Sequence, residues 1–148
     1  SKMSTRAIAS AVIPAPVGAV WDVLRDFSFP ARFEGIDSVE LEDGASPTTV
    51  GAVRTLKWKN GAVRRQRLLG LNDAGRKIVW EMSPIEDSVT SVVSAAQTTV
   101  KAYRVTESNS TYVVWYTDFS ADVEGGFLLQ EQEDYAQNLN EMKAWFSS

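Results

Sequence analysis

The chain has 148 residues, 44% hydrophobic and 23% charged, with a formal net charge of −4. That is the composition of an ordinary globular chain long enough to bury a substantial core. With no cysteine and no histidine, it excludes disulfides, thiolate chemistry, a Ser-His-Asp triad, a Cys-His dyad and a conventional zinc site. The acidic balance argues against nucleic acid, which needs a basic face.

No apolar run approaches the roughly 20 residues that span a bilayer. The stretch 7–20 is broken by Pro14 and Pro16, so it does not read as a signal peptide. Ser1-Lys2 reads as a leftover before a native Met3, and a cytoplasmic location is the expectation.

The first strand is expected over 6–13, with Ile8, Ser10 and Val12 on one face. Pro14 and Pro16 stop it, and Pro16 suits the first turn of a helix over 17–26. Val17, Val20, Trp21 and Leu24 recur at i, i+3, i+4 and i+7, the spacing of a buried stripe. Pro30 closes that helix, and a short second helix follows over 31–34.

Strands then recur over 38–42, 52–59, 63–71, 76–82, 92–106 and 111–122. Turn residues separate them: Asp43-Gly44, Asn60-Gly61, Asn72-Asp73-Ala74-Gly75, Pro84 and Glu107-Ser108-Asn109-Ser110. After Gly125-Gly126 a helix is expected over 127–146, with Leu128, Tyr135, Leu139, Met142 and Phe146 at helical spacing. The order is β-α-α-β-β-β-β-β-β-α. Hairpin-linked strands in succession imply one antiparallel sheet. A sheet that long must curl, and the C-terminal helix of about five turns is the element to fill its concave side. The predicted fold is α+β: a six- to seven-stranded curved sheet around a long helix, one domain over 4–148.

Several local motifs support this order. They are Ile13-Pro14-Ala15-Pro16-Val17 through Val20-Trp21, Asp26-Phe27, Ile36-Asp37-Ser38-Val39-Glu40 and Gly51-Ala52-Val53-Arg54. Gln66-Arg67-Leu68 to Leu71-Asn72-Asp73 and Asn138-Leu139 complete the set. In this order and spacing the chain resembles the START-like (SRPBCC) helix-grip superfamily. Its members include birch-pollen-type allergens, plant abscisic acid receptors and bacterial polyketide cyclase or dehydratase-like proteins.

The hormone-receptor branch does not fit. Its Ser-Gly-Leu-Pro-Ala gate is replaced by Asn60-Gly61-Ala62, and its His-Arg-Leu latch by Ser91-Val92-Val93. Asp37 falls where its carboxylate-binding lysine would lie. No lysine matches the cavity lysine of the plant Pictet-Spenglerase-type members.

The resemblance turns Arg54, Leu56 and Trp58 toward the interior. Strand alternation then sends Arg64, Gln66, Leu68, Trp80, Met82, Thr98, Val100, Val113, Trp115, Thr117 and Phe119 the same way. The last helix adds Tyr135, Asn138, Leu139 and Met142, with Asp134 at the margin. A ligand site is therefore expected from Arg54, Leu56, Trp58, Arg64, Gln66, Trp80, Met82, Thr98, Trp115, Thr117, Asp134, Tyr135, Asn138 and Met142. The competing reading is that the tryptophans simply fill the core.

Inward arginines are costly unless paired or near water. Arg54 or Arg64 either pairs with Asp134 or Glu131 as architecture, or anchors a carboxylate, phenolate or carbonyl on a greasy ligand. The expected polar end is Arg54 or Arg64 with Gln66 and Asn138, Asp134 being the internal partner of one arginine. Glu131, Glu133 and Asp134 otherwise suit the positive end of the helix dipole better than a metal. Arg64, Arg65 and Arg67 with Lys57 and Lys59 split over two sheet faces, so they form no nucleic-acid surface.

The function expected is a carrier or binding protein for a small hydrophobic or aromatic molecule. The alternative is a cyclase or aromatase-like enzyme, without metal or cofactor, acting in the same cavity. Its proton-handling candidates are Asp134, Tyr135 and Glu34, with Arg54 or Arg64 stabilising an oxyanion. A monomer or weak homodimer is expected.

Overall fold

A computed structural model describes residues 5–82 and 95–147. Strand β1 (Arg6–Ile13) ends where Pro14 and Pro16 remove ladder donors, and helix α1 (Val17–Leu24) follows. Val17, Val20, Trp21 and Leu24 are all buried on one face of α1. A one-turn 3-10 helix covers Phe29–Arg32. It starts before the expected 31–34 because Pro30 opens this turn rather than closing α1, its missing N–H falling where no partner is needed.

Six further strands succeed one another: β2 (Ile36–Leu41), β3 (Val53–Trp58), β4 (Val63–Asn72), β5 (Lys77–Met82), β6 (Ala96–Val105) and β7 (Ser110–Phe119). The sheet runs β1-β7-β6-β5-β4-β3-β2, every neighbouring pair antiparallel. The expected start of the sixth strand at Val92 and the Pro84 turn lie outside the described residues. The last strand stops at Phe119 rather than 122, where the Ser120 hydroxyl and backbone bond Ala95.

Helix α2 (Gly125–Phe146) begins two residues earlier than expected, with Gly125 and Gly126 inside its first turn. The curved sheet grips it, as the fold class expected from the sequence requires. On β1 it is the alternate set Ala7, Ala9 and Ala11 that packs against the core, while Ile8 and Val12 are 43% and 49% exposed. Three small side chains let α2 approach β1 closely, and the Gln132 Oε1 accepts the Ile8 edge N–H at 3.2 Å. No helix of the described residues is long and apolar enough to cross a membrane.

Two bulges interrupt the ladder. Pairing shifts between Ile36 and Ser38 on β2 and between Leu68 and Gly70 on β4. A bulge adds a residue on one side of the ladder and bends the strand. The core is one cluster that includes Leu24, Leu68, Ile78, Val100, Val113, Leu139 and Met142.

Candidate functional site

Beneath the β3–β6 half of the sheet the packing opens into a cavity of about 410 Å³. Period-2 alternation sets its walls. From β3 come Arg54, Leu56 and Trp58, from β4 Arg64 and Gln66, from β5 Trp80 and Met82. Thr98 on β6, Trp115 and Thr117 on β7, and Asp134, Tyr135 and Asn138 on α2 close it. Met142 does not reach it: that side chain is fully buried in the apolar core, a turn beyond Asn138. Glu34, offered from sequence as a proton carrier, is likewise absent from the wall; its side chain is exposed.

The wall also contains residues that the sequence reading did not place there, including Pro30, Phe33, Ile36, Phe127 and Glu131. Its exposed members among the described residues are Gly35, Asn60, Ala62, Asp134 and Gln137. They lie at the β3–β4 turn, at the entry to β2 and on the outer side of α2, which puts the opening there.

The aromatic lining is continuous. Trp115 stacks on Tyr135 (5.6 Å between centroids) and on Phe29 (5.9 Å), and meets Trp80 edge-on at 5.8 Å. The Trp115 indole Nε1 is buried with no hydrogen-bond acceptor among the described residues. A buried donor without a partner is costly and rare in native proteins.

Arg54 is the largest fully buried side chain, at 1% exposure. Its Nε donates to Gln66 Oε1 at 2.9 Å and its Nη1 to the Phe27 carbonyl at 2.7 Å. The guanidinium lies 4.0 Å from the Phe27 ring and 4.4 Å from the Trp80 ring. No carboxylate pairs with it among the described residues, and burial alone pulls its pKa well below the ordinary arginine value. Arginine starts high enough to remain a cation near neutrality.

Arg64 has the opposite solution. It pairs with Glu131, whose side chain is only 5% exposed, and its guanidinium lies between the rings of Trp58 (5.5 Å) and Phe127 (5.7 Å). Burial raises the Glu131 pKa, Arg64 opposing it. Of the two partners the sequence offered, Glu131 makes the pair, whereas Asp134 is exposed and accepts from Gln130 Nε2 at 3.0 Å. The reason is helix phase. Glu131 is one turn before Tyr135 on the buried stripe, whereas Asp134, adjacent in sequence, is turned about 100° away.

Three hydroxyls form a buried chain: Thr98 Oγ1 lies 2.7 Å from Thr117 Oγ1, which lies 2.5 Å from the Tyr135 hydroxyl. Burial, followed by the nearby Glu131 charge, pushes the Tyr135 pKa far up. Tyr135 therefore stays a neutral hydroxyl. Among the described residues no group of acidic side chains could hold a metal ion.

This geometry, a curved antiparallel sheet closed by α2 over an internal cavity, is that of the helix grip. The family model for "Polyketide cyclase / dehydrase and lipid transport" matches residues 4–146. The chain belongs to this polyketide cyclase/dehydrase family. It thereby falls in the START-like (SRPBCC) superfamily that the motifs indicated, whose fold type binds hydrophobic ligands. Among solved structures, a protein of Nitrosospira multiformis is similar over 97% of both chains, at 23% identity and a TM-score of 0.84. XoxI of Bacillus cereus covers 97% of this chain and 96% of its own, at 23% identity and a TM-score of 0.79. The major latex-like protein 151 of Panax ginseng is similar over 97% of both chains at only 12% identity, with a TM-score of 0.76. Identities this low carry the fold and not the ligand. No curated protein matches the sequence significantly.

Proposed function

We propose that this family member binds a small hydrophobic or aromatic molecule in the cavity and acts as a carrier or binding protein. The observation that carries the reading is the space of about 410 Å³ beneath Trp58, Trp80 and Trp115. Its size lies in the range of small-molecule sites, and an apolar wall with a few convergent polar groups is what such sites need. Leu56 and Met82 complete the greasy surface, while Arg54, Gln66, Thr98, Thr117, Tyr135 and Asn138 supply the polar contacts.

Titration with a polycyclic aromatic such as 2-isopropylnaphthalene, read by tryptophan emission, tests it. Saturable quenching that weakens in Leu56→Trp, a variant that fills the space, supports the reading. No quenching, or quenching indifferent to that variant, sinks it.

A second reading, a cyclase-like enzyme, is favoured by one observation: two proton-bearing groups, Glu131 and Tyr135, border the same cavity with their pKa values raised. A carboxyl group raised by burial toward neutrality is what proton transfer at an active site requires, and the Tyr135 hydroxyl, kept protonated by burial, can hydrogen-bond a substrate oxygen beside it. Glu131 then takes the place that Asp134 held in the sequence reading. Turnover of a poly-β-keto thioester that is lost in Glu131→Gln and Tyr135→Phe decides for it.

A further inference from the structure

The polar groups of the cavity divide into two ends of different charge. At one end Arg64 and Glu131 neutralise each other. At the other stands Arg54, a cation that faces only neutral acceptors among the described residues. The register separates them: Arg54 pairs across the ladder with Gln66, and Leu56 with Arg64, so the two guanidiniums are diagonal on the inner face.

An isolated buried cation costs several kcal/mol even after relaxation. The rings of Phe27 and Trp80 lower that cost through their electron-rich faces, but a quadrupole does not cancel a charge. Two of the five arginine N–H donors are used, and the others have no acceptor among the described residues. The Trp115 indole, on the same wall, is a second donor without an acceptor. Unpaired donors and an unpaired positive charge thus border the same apolar space. Nothing among the described residues supplies the negative charge.

We infer that the ligand is an aromatic or polycyclic carboxylic acid, bound as its anion, with the carboxylate seated on Arg54 and within reach of the Trp115 N–H. A carboxylate accepts two parallel N–H bonds from the end of a guanidinium, which a phenolate or a ketone cannot do. It also supplies the charge that the site lacks. The inference rests on the cavity being a ligand site. It adds the ligand's chemical class and the direction in which it enters, ring system toward the opening and acid toward Arg54.

The test compares 2-naphthoate with 2-isopropylnaphthalene, which has the same branched shape and no acceptor. Isothermal titration on the whole protein gives both affinities. In an apolar cavity without an anchor the hydrocarbon wins, because the anion loses its hydration on entry. The inference predicts naphthoate tighter by about 10- to 100-fold, the worth of one or two charge-assisted hydrogen bonds. Arg54→Met removes that preference, so that naphthoate no longer binds more tightly than the hydrocarbon to the same variant. Trp115→Phe keeps the ring and reduces the preference in part.

Because Arg54→Met strips the partners of Gln66 and Phe27, a wild-type measurement stands beside it. The ¹⁵N-edited Arg54 Nε and Trp115 indole resonances must shift with naphthoate and stay near their free positions with the hydrocarbon. Binding of both probes without preference, or naphthoate binding with no movement of the Arg54 resonance, overturns the inference and leaves the cavity reading standing. Failure of both probes to bind overturns the cavity reading itself.

Discussion

The hydroxyl chain Thr98–Thr117–Tyr135 allows a prediction in which position along the chain decides the cost. Tyr135 is terminal. Tyr135→Phe removes one hydrogen bond, yet Thr117 keeps Thr98 as partner, and the ring keeps its stack on Trp115. The loss is the net value of one buried hydrogen bond, about 1 kcal/mol. Thr117 is central and fully buried, at 1% exposure. Thr117→Val, nearly the same volume, removes two bonds at once and leaves the Thr98 and Tyr135 hydroxyls only each other. Two lost bonds at about 1–2 kcal/mol each, between the net value of a bond and the full cost of an unsatisfied group, give a total of about 2–4 kcal/mol. A chain of this size has an unfolding entropy of about 0.3 kcal/mol/K at the midpoint. Tyr135→Phe should then lower Tm by about 3 °C and Thr117→Val by about 6–13 °C. Differential scanning calorimetry at one pH measures both. A Thr117→Val loss no larger than that of Tyr135→Phe would show that water from the cavity satisfies these hydroxyls, and the chain would not be a structural element.

Other consequences are as direct. The raised Glu131 pKa means that the native state holds this proton more tightly than the unfolded chain does. Its contribution to stability therefore falls as pH rises from the ordinary 4.5 through the folded value, so Glu131→Gln gains on the wild type across that window in urea titrations. A constant difference would place the group outside the buried stripe. Asp73 has the opposite sign. The Arg25 hydrogen bond, then the Trp21 indole at 2.8 Å, lower its pKa. That stabilisation is present above the ordinary 3.8 and is lost as pH falls through the folded value. Asp73→Asn should lower Tm at neutral pH, with the gap closing in acid; a pH-independent gap would contradict the pairing. Leu139 is 1% exposed at the helix-to-sheet contact. Leu139→Ala should cost about 2–5 kcal/mol in urea denaturation, and a loss below about 1 kcal/mol would mean that α2 is not held as described.

The parity of the strands was legible because it needs only one fixed point. Once Arg54 is inward, two-residue alternation carries Leu56, Trp58, Gln66, Trp80, Thr98, Trp115 and Thr117 to the same side. Antiparallel register preserves it, and the β4 bulge falls beyond Leu68, past the last cavity residue of that strand. The α2 face was legible only in part. Tyr135, Leu139 and Met142 mark a stripe, and the position four residues before Tyr135 is Glu131. That step was available from the sequence. Glu131 was offered as an arginine partner beside Asp134, but the general rule that glutamate stays at the surface kept it off the cavity wall; Arg64, 67 residues earlier in the chain, makes its burial tolerable.

What no local pattern could supply is the contribution of the segment between α1 and β2. Phe27, Phe29, Pro30 and Phe33 carry no period, yet Phe27 gives Arg54 both a carbonyl and a ring face. The outcome for the two inward arginines follows from these long-range neighbours rather than from the arginines themselves. Arg64 meets a carboxylate delivered by α2, and the pair, charge-neutral, becomes wall. Arg54 meets aromatic faces and a backbone oxygen, which hold a guanidinium in place without discharging it. A fold needing that position only for packing would be served better by an apolar side chain of the same volume, since replacing buried charges by hydrophobic residues is commonly neutral or stabilising. With no counter-charge for Arg54 among the described residues, the carboxylate proposed above is the group that would discharge it.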